Sequence, residues 1–200
     1  METMYLIIAI VITLLLEFGI WLNTRKEYPV SWKWLVGVMI FTVLLFPLLK
    51  VNYDMLFQRP AVLVFIPFVA NLLMIGIIDW KHQLIPNRLS AFAFVLSGIY
   101  CLSLWSAFGK ELILGGIVLL GIFVLLYVFA KGAFGMGDVK LSPSIGLMIG
   151  LSSVGEFMMF TMICAAFLSL ILIACKLKNR KDKIAFGPFM VVGFLILWMF

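Results

Sequence analysis

The chain has 200 residues, 65% of them hydrophobic and 12% charged, with 15 Lys and Arg against 9 Asp and Glu. At a mean hydropathy of +1.22 no water-soluble domain could cover so much apolar surface, which leaves a membrane protein. Several apolar runs reach the roughly 20 residues that cross a bilayer as helix, and none alternates like the strands of a transmembrane barrel, so the expected fold is all-α, a polytopic helical bundle.

The first predicted span, Met4 to Leu22, has Glu2 before it and Arg25-Lys26 after it. Lacking a basic start and a small-residue cleavage site, it reads as a retained helix and not as a removable signal. Further spans are expected at about 33–50, 60–79, 89–106, 111–130, 141–151, 155–175 and 184–200. The sixth is short and contains Pro143, Gly146 and Gly150, and Ser152-Ser153-Val154-Gly155 reads as a turn. A single helix over 141–175 would far exceed an ordinary span, so two are expected.

Charge supports eight spans. Arg25, Lys26, Lys33, Lys81, Arg88, Lys131, Lys140, Lys176, Lys178, Arg180, Lys181 and Lys183 then share one side, and only Lys50, Arg59 and Lys110 face the other. That asymmetry marks the richer side as cytoplasmic and puts both termini outside. Clustered in this way, the net charge of +6 suits anionic lipid headgroups and calls for no nucleic acid, for which no binding motif is present.

Cys101, Cys164 and Cys175 lie in apolar runs without a C-x-x-C pair or a neighbouring His, and read as packing residues, with no metal site expected. The lone His82 reads as a loop residue. Of the nine acidic residues, Glu2, Glu27, Asp54, Glu111, Glu156 and Asp182 are assigned to loops or termini. Glu17 falls inside the first span, where an ionisable group is costly; its nearness to Arg25 points to a structural role at the span's end.

The remaining two acids, Asp79 and Asp138, are brought by this topology to the same rim of the membrane. Singly, Asp79 could end a span and Asp138 could cap a helix. Their surroundings are unusual, however. Asp79 is followed by Trp80-Lys-His-Gln-Leu-Ile-Pro-Asn-Arg88, where Pro86 interrupts helix and pushes Ile85 toward an extended conformation. Asp138 is preceded by Gly135-Met-Gly137, which permits close backbone approach and positive φ. Two carboxylates sharing a site cannot both ionise easily, so one keeps its proton while the other is charged. The charged member can take a proton from an attacking water, and the protonated member can polarise a peptide carbonyl and protonate the departing amine. Such chemistry needs no cofactor.

These motifs carry a resemblance. GMGDVKL at Gly135 to Leu141, DWKHQLIPNRLS at Asp79 to Ser90 and FGPFM at Phe186 to Met190 resemble, in order and spacing, the elements of the type IV prepilin peptidase family, the GxGD aspartic proteases of prokaryotic membranes. The resemblance implies that Asp79 and Asp138 are the catalytic pair. It implies substrates that are prepilins or pseudopilins, with a short basic leader and a hydrophobic helix, cleaved after a Gly at the cytoplasmic boundary of a bacterial inner membrane. Pro86, Asn87, Gly135, Gly137, Gly187 and Pro188 are the expected substrate-binding positions, with Gly187-Pro188 breaking the eighth helix and lining the cleft. The catalytic core is then six helices over 60–200, and 1–59 is an accessory layer within a single membrane domain.

One departure from the longer members of that family stands out. They carry a cytosolic lobe with C-x-x-C pairs between the first two spans, a part associated with N-methylation; here the interval is only Asn23 to Trp32 and has no cysteine. Peptidase activity without methyl transfer is expected. Two other readings suit the same aspartates: another GxGD intramembrane protease of preflagellin or presenilin type, and a cation-coupled transporter. The Ile-Pro-Asn and Phe-Gly-Pro elements favour the prepilin branch over the presenilin one, and a position at the rim weighs against a carrier site at the midplane.

Overall fold

In the computed structural model residues 2–24, 27–28, 31–52, 61–129, 134–175 and 185–199 are described, and among them are eight helices and no strand. They are α1 (Glu2–Thr24), α2 (Trp32–Asn52), α3 (Val62–His82), α4 (Asn87–Ser103), α5 (Trp105–Phe129), α6 (Met136–Ile149), α7 (Val154–Ala174) and α8 (Gly187–Met199). The eight expected segments correspond to them one for one. Among the described residues three helices, α3, α5 and α7, are long and apolar enough to cross a membrane.

Helix α3 is the hub. In its membrane-length window 72% of residues are buried, against 28% in α5 and 17% in α7, so α3 is enclosed by protein while the other two show most of their apolar surface to the surroundings. Phe68, Leu72 and Ile75 of α3 are fully buried and recur at the three-to-four-residue spacing of one helix face. They pack with Leu119 and Phe123 of α5, Leu141 and Ile145 of α6, Phe157 of α7 and Phe194 of α8 in one core. Helices α1 and α2 lie mainly against α3, and α2 also touches α8.

Lipid tails are as apolar as leucine, so helices in a membrane associate largely through close packing at small residues. The α5–α6 seam shows this. A Cβ on Gly115 would stand 2.5 Å from the Gly150 carbonyl carbon and 2.6 Å from the Gly146 carbonyl oxygen, and a Cβ on Gly146 would run into the Gly115 carbonyl oxygen. These obstacles are backbone and cannot rotate away. Gly146→Ala is therefore expected to cost about 1–3 kcal/mol of stability through overpacking, measured as a lower unfolding temperature in detergent. At Gly193 of α8 the obstruction is instead the hydroxyl of Thr161 in α7.

Some boundaries differ from expectation. Residues 107–110 were expected to form a loop bearing Lys110, but α4 and α5 are separated by Leu104 alone, whose N–H donates to Tyr100 (3.2 Å). Nothing in Trp105 to Glu111 breaks helix: Gly109 is tolerated because the Trp105 ring occupies the space beside it. Glu111 is thus a helical residue and not a loop residue, and Glu156 sits in the first turn of α7. Gly187-Pro188 begins α8 and does not break it, since proline suits a first turn, where its missing N–H is not needed. Cys101 is buried and Cys164 half-buried, but Cys175, just past α7, is exposed.

Glu17 is fully buried and accepts a hydrogen bond from the Thr42 hydroxyl of α2 (2.9 Å), which also lies 2.8 Å from the Val38 carbonyl. Its structural contact is therefore an α1–α2 link within the bundle. Arg25, its expected neighbour, lies outside the described residues, as do Lys26, Asp54, Arg59, Lys131, Lys176, Lys178, Arg180, Lys181, Asp182 and Lys183.

The connections that carry described charges gather at one end of the bundle. Glu27 pairs with Arg88 (3.2 Å), Tyr28 meets the His82 ring (centroids 5.8 Å apart), and Lys81 Nζ stands 5.0 Å over the Trp34 ring. Lys140, in the first turns of α6, reaches the same end by donating to Asn87 Oδ1 (2.9 Å). At the opposite end Ser152 donates to Glu111 Oε1 (2.6 Å) and Leu151 N–H to the Glu111 carbonyl (3.1 Å). The basic end is the end that holds Asp79 and Asp138.

Candidate active site

Asp79 extends the inward stripe of α3, eleven positions beyond Phe68, seven beyond Leu72 and four beyond Ile75, so helix geometry alone turns it toward the core. It is 5% exposed. Three residues later α3 stops: Gln83 takes a left-handed conformation (φ 52°, ψ 39°) and its N–H still bonds to the Asp79 carbonyl (2.8 Å). Leu84, Ile85 and Pro86 are then non-helical, and Pro86, at ψ 131°, opens α4 with its carbonyl accepting from Leu89 and Ser90. The expected interruption at Pro86 is present. Inside the bundle Asn71 Nδ2 donates to the Leu89 carbonyl (3.0 Å), tying α4 to α3.

Asp138 is built in the same way on α6. It starts a stripe continued by Leu141, Ser142 and Ile145, all fully buried, and is itself 5% exposed. As the third residue of the helix it reaches back to accept the Gly135 N–H (3.0 Å), so the capping role is real. Gly135 has φ −84° and Gly137 is helical; neither uses the positive φ that sequence allowed. Gly137 matters for another reason: a Cβ there would stand 2.8 Å from the Ile85 Cβ. That glycine lets α6 close onto the Ile-Pro-Asn connection.

Asp79 also has a backbone donor, and it comes from far along the chain. Gly187 N–H, at the start of α8, donates to Asp79 Oδ2 (2.9 Å). Amides in a first helical turn lack intrahelical partners, and the positive end of the helix dipole favours an acceptor carrying charge. Each aspartate therefore occupies a helix N-terminus, Asp138 on its own helix and Asp79 on α8. Each uses Oδ2 for a glycine N–H, and among the described residues neither Oδ1 makes a hydrogen bond.

Both side chains line one cavity of about 520 Å³, within the 300–1,000 Å³ usual for ligand sites. Of the expected substrate-binding positions, Asn87, Gly135 and Gly137 line it. Gly187 touches Asp79 from behind, Pro86 is buried in the turn, and Pro188 packs near Gly76 of α3. The cavity wall also includes residues that are not among the expected site positions: Gln83, Leu84, Ile85, Tyr127, Phe134 and Phe186. A signal for two of them was present, since Phe134 and Phe186 each precede a glycine that serves a carboxylate.

Fold and site together define an all-helical membrane protein with paired, nearly buried carboxylates in a cavity at one end of its bundle. The type IV leader peptidase family model matches residues 66–175, from α3 through α7, including both aspartates. The chain belongs to the type IV leader peptidase family and is a peptidase. Helices α1 and α2 and the Phe186 to Met190 element lie outside the matched region. No curated protein and no solved structure matches the chain.

Proposed function

We propose that the protein is an aspartic endopeptidase that removes the short basic leader from prepilins or pseudopilins, acting at the cytoplasmic boundary of a bacterial inner membrane. The observation that carries this reading is the convergence of Asp79 and Asp138 on one cavity at the basic end of the bundle. A leader rich in Lys and Arg stays on the side where a protein's own basic loops lie, so the scissile junction and the aspartates come to the same level.

Each aspartate is oriented by a glycine amide on Oδ2, which leaves Oδ1 for water or substrate. With one proton between them, the ionised carboxylate draws a proton from water as the oxygen attacks the peptide carbonyl, while the protonated one donates to the carbonyl oxygen. Collapse of the tetrahedral species breaks the C–N bond, and the amine leaves with a proton supplied by the pair. The non-helical Leu84–Pro86 segment and the half-apolar wall suit a stretched peptide, and the apolar faces of α5 and α7 suit lipid or the substrate's helix. No methyl transfer is proposed, since the α1–α2 interval has neither the length nor the cysteines of a zinc-bound lobe.

The test is to incubate the purified protein in lipid with a prepilin-type substrate, follow the mobility shift of leader loss, and sequence the new N-terminus. Cleavage at the junction of leader and helix supports the proposal; cation uptake without cleavage points to a carrier instead. The proton-sharing mechanism also has a pH signature. Acid protonates both carboxyls and removes the base, alkali ionises both and removes the acid, so kcat/KM should follow a bell whose two limbs belong to the pair and not to one residue.

A further inference from the structure

Two connections, one before α6 and one before α8, supply the amides that hold the aspartates. Each supplies its amide from a glycine that directly follows a phenylalanine: Phe134-Gly135 for Asp138 and Phe186-Gly187 for Asp79. The two rings meet edge to face, with centroids 4.8 Å apart and planes at 66°, an arrangement favoured by the ring quadrupoles. Phe123 of α5, fully buried, backs both, at 6.2 Å from Phe134 and 5.9 Å from Phe186. Helices α6 and α8 themselves share no extensive interface among the described residues.

We infer that Phe134 and Phe186 form an aromatic clasp that positions the two aspartates relative to one another, a role resting on the peptidase reading above. Each ring sits one residue from an amide that binds a carboxylate, so the ring contact sets the distance between the two amides and, through them, the spacing of the acids. The rings are positioning residues and not catalytic ones. They differ from ordinary core phenylalanines in being half-buried and in lining the cavity. Phe189, 5% exposed and 6.2 Å from Phe186, is buried and does not line the cavity, and is the natural control. Proton sharing depends steeply on the separation of two carboxylates, so loosening the clasp should disturb the chemistry more than substrate binding.

The test uses the full chain in lipid, with Phe134→Leu, Phe186→Leu, the double variant, Phe186→Tyr and Phe189→Leu. Leucine at either clasp position is expected to lower kcat by about tenfold or more, as small misplacements of reacting groups do, with KM little changed and a shifted pH bell. Phe186→Tyr restores most of the rate, and the double variant is hardly worse than either single one because the two rings act as a unit. A readout independent of cleavage comes from spin labels at Met136 on α6 and Val192 on α8, both exposed, with the three native cysteines replaced. Their distance distribution should be narrow in the parent and broad in Phe186→Leu, but unchanged in Phe189→Leu. Multiplying losses in the double variant, equal effects from Phe189→Leu, or unaltered distances in the clasp variants would each overturn the inference. If the parent cleaves no leader while the clasp variants still broaden the distances, the clasp stands and the peptidase assignment to prepilins falls.

Discussion

Asp79→Asn and Asp138→Asn are each expected to lower kcat/KM for leader removal by at least about 10³-fold, since each deletes an acid–base group from the reacting centre. Asparagine is the informative replacement. It keeps the shape of the side chain, and its amide oxygen can still accept the Gly187 or Gly135 N–H that Oδ2 accepts now. It also removes a potential charge from a site that is only 5% exposed, where burial of charge is unfavourable. Both variants should therefore insert and unfold like the parent while losing turnover. The double variant should be no slower than either single one, because one proton serves both carboxyls and the pair works as one unit. Cleavage at the parental rate by either variant would remove that aspartate from the mechanism; an unfolding temperature far below the parent's would reveal a structural role instead.

The spans and the two aspartates were legible in the sequence because they rest on local rules. Long apolar runs give helix in a membrane whatever their partners, and Pro86 interrupts helix by its own geometry. Spacing along a helix even orients Asp79 and Asp138 inward, once Phe68, Leu72 and Ile75 are seen to share a face. What local rules did not provide was partnership across the chain. The amide on Asp79 belongs to Gly187, 108 residues further on, and no rule of composition links them. Likewise the sequence reads Gly137 as cleared for substrate or for unusual backbone, whereas the space it vacates is taken by Ile85. The extent of α5 was missed for the opposite reason. Lys110 and Glu111 looked like a loop by polarity, but a helix end needs a breaker or a cap, and none is present there.

Those long-range contacts rank the glycines of the site, and the ranking is the second large expected effect. A Cβ on Gly187 would stand 2.6 Å from Asp79 Oδ2 and 3.2 Å from its Cγ. The carboxylate cannot yield without abandoning the Gly187 N–H, so Gly187→Ala pushes Asp79 off its donor and should lower kcat by about 10²-fold, the scale of a misplacement near 1 Å. Gly137→Ala meets the Ile85 Cβ at 2.8 Å. Ile85 lies on a short non-helical segment that can shift, so the loss there should be smaller and fall partly on KM, through the displaced cavity wall. Gly135→Ala meets Asp138 Oδ2 at 3.4 Å and Gly137 N at 3.8 Å, both ordinary contact distances, at a φ of −84° that any residue adopts, and should be nearly silent. Steady-state kinetics on the three variants decides the order. Parental kcat in Gly187→Ala would show that Asp79 does its work without the amide from α8. A severe loss in Gly135→Ala would mean instead that substrate needs the space beside Asp138, and that the glycine is there for the peptide and not for the fold.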